Sequence, residues 1–159
     1  MKSDGVNAAR RLAVKMWGKI QTQHKLADGI WMFSTAGHGG IIVDTDKCQE
    51  FEEMKEFVPC SNKEHSSPTS GFVSEQHFAP FEEDCEAALV EWLYAYKIWR
   101  PAFRKLYVNS AETDEQWYKK REKMLRRTIE SYHPEFIEKF PEIRKTEPKE
   151  EENNEERKE

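Results

Sequence analysis

"QTQHKLADGIWMFSTAGHGGIIV", residues 21–43, decides the fold. In its first part Gln21, Gln23 and Lys25 alternate with Ile20, Thr22 and His24, the period of two that marks a strand. Asp28-Gly29 is a hairpin-turn pair, and it separates this run from Ile30-Trp31-Met32-Phe33. Beyond the glycines comes "IIV". The spacing predicts two or three short strands over about residues 17–43 in an antiparallel meander, with "STAGHGG" (34–40) as the turn that joins the last two.

On either side the period changes to that of helices. "DGVNAARRLAVKMW" reads as a short helix with Asp4 or Asn7 as cap and Ala8, Leu12 and Met16 on one face. "DKCQEFEEMKEF" places Cys48, Phe51, Met54 and Phe57 at helical spacing. Residues 60–75 form a polar, proline-bearing loop, long enough to imply partner binding or disorder. "PFEEDCEAALVEWLYAYKIW" predicts a helix over about residues 80–99, with Pro80 at its first position and Glu82, Glu83 and Asp84 in the first turn. Its apolar face comprises Phe81, Cys85, Ala88, Leu89, Trp92, Leu93 and Tyr96. A second long helix is expected over about residues 112–132 with Trp117, Met124, Thr128 and Tyr132 inward, stopped by His133-Pro134 and followed by a short one in "PEFIEKFPEI". The expected fold class is α+β: a small antiparallel sheet against two long helices. Residues 1–144 are read as one domain and 145–159 as a disordered charged tail.

That tail holds seven acids and four bases, so it carries −3 of the chain's net −5 and leaves the remainder near neutral. Overall charge therefore does not advertise nucleic-acid binding. Three cysteines, Cys48, Cys60 and Cys85, are too few and too scattered for a disulfide scaffold and point to a reducing cytosol. No apolar run of signal-peptide type is present, and none approaches the roughly 20 residues of a membrane span. The expected location is the cytoplasm.

Two stretches carry candidate chemistry. Glycines around His38 let backbone N–H groups converge, so the loop suits an anion cradle or an exposed catalytic histidine; equally, it suits a tight turn whose histidine bonds nearby backbone. "EEDC" offers paired carboxylates for acid–base work, against the plainer role of stabilising a helix end. Three acids raise a neighbouring thiol's pKa, so Cys85 reads as a buried inert residue, not a nucleophile. Cys60 and His65 have loose zinc-like spacing without a second pair, and His38, His77 and Asp84 meet only if folding brings them together; no metal or other cofactor is expected. Lys119, Lys120, Arg121, Lys123, Arg126 and Arg127 crowd one helix, which makes a solvated face or a phosphate-gripping patch.

"FSTAGHGGIIV" followed by "FEEDCEAALV" resembles an uncharacterised domain family of phage- and plasmid-borne bacterial genes. Its pattern is Ser-Thr-Pro-(Gly/Ser)-His-Gly-Gly, then aromatic-Glu-Glu-Asp-Cys-acid-Trp-Ala-(Ile/Leu)-Val. Ser34, Thr35, Gly37, His38, Gly39 and Gly40 match the first block; Phe81, Glu82, Glu83, Asp84, Cys85, Glu86, Ala88, Leu89 and Val90 match the second. Ala36 stands at the family's proline and Ala87 at its tryptophan. Trp17-Gly18 and "SYHPEFIEKF" are also similar, so the resemblance spans about residues 17–140. It implies a mobile-element accessory protein that inhibits a host defence nuclease complex by stoichiometric binding, in the manner of an anti-CRISPR protein. Its partner would be a defence protein or ribonucleoprotein, with no membrane involved.

Two rival functions follow from the residues: a small enzyme using His38 with Glu83 or Asp84 on a nucleotide or phosphorylated substrate, and a nucleic-acid-binding module using residues 117–127. The two motifs are expected to meet. The His38 ring would donate to Glu83 or Asp84 at the helix end, while Ser34 or Thr35 oxygens would take up free helix N–H groups.

Overall fold

Period-two patterning makes strands here, and the sheet they build is covered on both faces. The computed structural model describes residues 5–48, 50–54, 57, 77–84, 86–107 and 112–148. The expectations for the loop at 60–75, for Cys60 and Cys85, and for the tail beyond residue 148 lie outside the described residues. In chain order the elements are α1 (Val6–Trp17), β1 (Thr22–Ala27), β2 (Ile30–Ser34), β3 (Gly39–Asp44), α2 (Phe51–Met54), β4 (Phe78–Glu82), α3 (Ala87–Ile98), α4 (Pro101–Lys105), α5 (Asp114–Tyr132) and α6 (Pro134–Lys139). The fold is α+β, with β1-β2-β3-β4 an antiparallel meander in sequence order. The Asp28-Gly29 hairpin is present, with Gly29 at φ 76°.

Alternate residues of the strands feed two cores. Trp31, Phe33 and Ile42 pack with Ala9, Leu12 and Ala13 of α1, whose small side chains let the helix lie close to the large sheet residues. Leu26, Ile30, Ile41, Val43 and Phe81 face α3 on the other side. With both faces covered, β3 is buried at every position, which is why its centre, Ile41-Ile42-Val43, is an unbroken apolar run. Gly5 holds the helix N-cap at φ 83° where Asp4 or Asn7 was expected.

The helix expected from Pro80 begins at Ala87 instead. Residues 78–82 form β4, in register with β3 through Ile41↔Phe81, Ile42↔Pro80 and Val43↔Ala79. "FAPFE" alternates between the two cores, and a proline is tolerated because β4 is a sheet edge. From Ala88 to Ala95 every residue of α3 is buried, so the helix has no solvent face. Each large side chain hidden there contributes about 1.5–3 kcal/mol. Arg144 closes the far side of α3. Its N–H donates to Trp92 O at 3.0 Å and its carbonyl accepts from Tyr96 N at 2.8 Å, two groups that pair with each other in a regular helix.

Thr113 and Gln116 form a reciprocal capping box that starts α5. Its inward face is Trp117, Leu125 and Ile129; Met124 and Tyr132, expected inward, are 46% and 63% exposed. The physical reason is Arg121, which lies on the i, i+4 line of the buried residues and is drawn inward by an ion pair described below.

The glycines of β3 give a direct test of this packing. A Cβ at Gly40 would stand 2.1 Å from Phe81 O and 2.7 Å from the Trp17 ring, whereas one at Gly37 would meet nothing within 4 Å. Gly40→Ala is expected to cost about 3 kcal/mol of unfolding free energy, and Gly37→Ala to stay within about 0.5 kcal/mol. Chemical denaturation of the two variants checks the contrast.

Candidate functional site

The two motifs do meet, and strand pairing brings them together. Gly39 and Gly40 lie beside the end of β4: a Cβ at Gly39 would fall 2.6 Å from Phe33 O and 3.2 Å from a Glu83 carboxylate oxygen. Glu83 N donates to Gly39 O at 3.0 Å, which extends the ladder one residue past Glu82. Thr35 closes the preceding turn, its hydroxyl donating to His38 O at 2.7 Å and accepting from His38 N at 3.0 Å. Ser34 Oγ bonds Thr22 Oγ1 across the β1–β2 pair. Both hydroxyls are thus used within the sheet, not on the N–H groups of a helix. His38 Nδ1 lies 3.5 Å from Glu82 Oε1, not from Glu83 or Asp84, and the two side chains are 63% and 43% exposed. A contact so open to water contributes little. Glu86, at the α3 N-cap, has its carboxyl pKa raised by burial and then by Glu82.

Beside this junction the sheet and helices enclose a cleft of about 620 Å³. Its sheet wall is the rung His24–Met32–Ile41 with the neighbouring pair Thr22–Ser34, all on the α3 side. Glu83, Asp84, Ala87 and Ala88 form the wall at the start of α3; Met124, Leu125 and Thr128 of α5 form the opposite one. The space exists because α3 covers the Leu26–Ile30–Val43 end of the sheet with large side chains and presents alanines at the other end. The site motifs contribute Ser34, Gly40, Glu83 and Asp84 to the lining, but not His38.

On the cleft floor is an ion pair that the sequence reading missed. Glu91, 3% exposed, accepts from Arg121 Nε at 2.7 Å and Nη2 at 2.8 Å, and from Trp99 Nε1 at 3.0 Å. The guanidinium lies 4.4 Å from the centroid of the Tyr107 ring. Burial alone would pull the Arg121 pKa down, but the bidentate bond to Glu91 outweighs it and raises that pKa above its ordinary value. The signal was available: Glu91 is the one acid inside "AALVEWLYAYKI", a helix apolar all round, where a carboxylate has to find a cation.

The basic patch is correspondingly smaller than expected. Arg121 is inside; Lys120 pairs with Glu112. Arg126 lies 5.1 Å from the centroid of the Trp92 ring and donates to Pro141 O at 2.8 Å. Lys119, Lys120, Lys123 and Arg127 stand exposed. Cys48 is buried, which pushes its thiol up to about 12 and keeps it protonated at neutral pH. Among the described residues no group of three His, Cys, Asp or Glu side chains is placed to hold a metal ion, and no helix is long and apolar enough to cross a membrane.

A four-stranded antiparallel meander covered by helices on both faces, with a lined cleft at one end, defines a small α+β domain. Residues 11–159 match the family model of DUF7007, a domain of unknown function, and the chain belongs to that family. No curated protein and no solved structure matches the chain.

The Glu91–Arg121 pair and the His38–Glu82 contact differ in burial and so in expected cost. Arg121→Ala strands a buried carboxylate and is expected to cost about 3–5 kcal/mol. His38→Ala and Lys123→Ala are expected to stay within about 0.5 kcal/mol. Urea denaturation at constant pH measures all three.

Proposed function

We propose that this chain is a stoichiometric inhibitor of a host defence nuclease complex, acting by binding in the bacterial cytoplasm. The observation that carries the reading is the acid-rich junction at the end of β4, where Glu83 and Asp84 line the cleft beside Glu82. Nucleases hold an anionic substrate on basic surfaces, and an acidic partner competes for such surfaces and is steered to them. The motif resemblance to phage- and plasmid-borne genes supports the same direction, because a mobile element gains from blocking host defence. The partner is a defence protein or ribonucleoprotein, and the mode is occupancy.

The enzyme reading is weakened by His38, whose ring turns to Glu82 and takes no part in lining the cleft. The nucleic-acid reading rests on the exposed Lys119, Lys120, Lys123 and Arg127, of which Lys120 is paired with Glu112. Stoichiometry separates the three. Titrated into DNA-cleavage reactions of a panel of RNA-guided and restriction nucleases, the chain is expected to abolish cleavage by one of them near one equivalent of enzyme. Loss of cleavage at a small fraction of an equivalent would assign catalysis instead. Protection that tracks DNA concentration and collapses with added salt would assign DNA binding. Full cleavage by every nuclease at excess inhibitor contradicts the proposal.

A further inference from the structure

Helix α5 carries a partly exposed stripe along the side that borders the cleft. Met124, Thr128 and Tyr132 are spaced i, i+4, i+8, and the spacing marks them as a packing face. Yet Met124 is 46% and Tyr132 63% exposed. Among the described residues only four large apolar side chains are exposed: Val14, Tyr107, Met124 and Tyr132. Tyr107 and Met124 flank the cleft, and Tyr132 lies two turns beyond Met124 on the same helix, while Val14 is on α1 across the sheet. Apolar surface concentrated beside a cleft marks a binding site more than scattered single residues do.

The charge of the cleft selects the occupant. Among the described residues its lining acids are Glu83, Asp84 and Glu91, and its only Lys or Arg is Arg121. Arg121 is already bound by both oxygens of Glu91. Glu83 and Asp84 are exposed, leaving two carboxylates that face the cavity. The volume, about 620 Å³, is that of a pocket for a ligand or for one or two side chains, not for a folded domain.

We infer that the cleft is the docking site for a basic segment of a partner protein. One arginine or lysine enters it, with its charged end on Glu83 and Asp84 and its methylene stem against Met32 and Met124. Apolar residues next to it on the segment cover the Met124–Thr128–Tyr132 stripe. Arginine suits the site best, because its planar fork bonds carboxylates by two parallel N–H donors. The two methionines adapt to either stem. This inference rests on the reading of the chain as a binding protein, and it names the chemistry of the partner surface.

The probe is a fluorescently labelled octapeptide of alternating arginine and leucine, titrated into the full chain by anisotropy and followed by amide NMR. Saturable binding is expected, with the largest shifts at Ala87 and Met124. Replacing arginine by glutamine in the peptide, or introducing Ala87→Trp to fill the cleft, is expected to weaken binding about tenfold or more. Met124→Lys, at an exposed position that leaves the core untouched, is expected to do the same. Equal binding of the glutamine peptide, or an unchanged affinity in both variants, overturns the inference. Displacement of the peptide by spermidine at equal concentration also overturns it, by assigning the cleft to small polyamines.

Nuclease titration with the same variants separates this inference from the functional reading. Inhibition by the parent chain that survives Ala87→Trp and Met124→Lys refutes the cleft and leaves the inhibitor. Selective peptide binding by a chain that inhibits no nuclease supports the cleft and refutes the inhibitor.

Discussion

A carboxylate in the middle of a helix with no solvent face has to be paired, and that requirement organises one side of the molecule. Glu91 sits between Val90 and Trp92 on α3, which is buried from Ala88 to Ala95. An unpaired charge there would cost several kcal/mol. Arg121 meets it with both ends of its fork, and this fixes the rotation of α5. Leu125 and Ile129, one and two turns on, go into the core with it. Met124 and Tyr132 are turned out. Tyr107 stacks its ring on the guanidinium. The floor of the cleft and the exposed stripe beside it are both consequences of one buried pair.

The opposite wall depends on close approach of backbone. Gly39 and Gly40 stand where any Cβ would strike a backbone oxygen of β2 or β4, and at Gly40 the Trp17 ring as well. Because they are glycines, β4 pairs along β3 as far as Glu82 and the chain then turns at Glu83-Asp84 into α3. That pairing brings two motifs more than forty residues apart to one edge of the cleft. Glu82 ends the strand and Glu83 and Asp84 sit in the turn, so the latter two line the cavity and only Glu86 stands at the helix N-cap. His38 is left at the rim, in an open pair with Glu82.

The strands between Thr22 and Asp44 were legible because alternation and an Asp-Gly turn are local signals that burial on both faces only reinforces. β4 was not. Pro80 followed by three acids carries the marks of a helix start, and only the partner strand supplies the reason for "FAPFE" to extend. The meeting of "STAGHGG" with the acid block was foreseen, but with the wrong partner for His38, since a sheet register sets which side chains face one another and the residues alone do not. The inward face of α5 was misread for a related reason. Hydropathy places an arginine outside, and Arg121 comes inside because of a carboxylate thirty residues away. Glu91 itself was visible as a lone acid in an apolar helix and went unused.

A double-mutant cycle on this pair tests the central claim most directly. Glu91→Gln, Arg121→Met and the double variant are unfolded in urea, and the coupling energy is taken from the three changes in stability. If the pair organises α3 and α5, the double variant is less damaged than the two single losses combined, with a coupling of about 2 kcal/mol or more. Additivity within about 0.5 kcal/mol would show that the two residues act independently, and would contradict the account of α5, the stripe and the cleft.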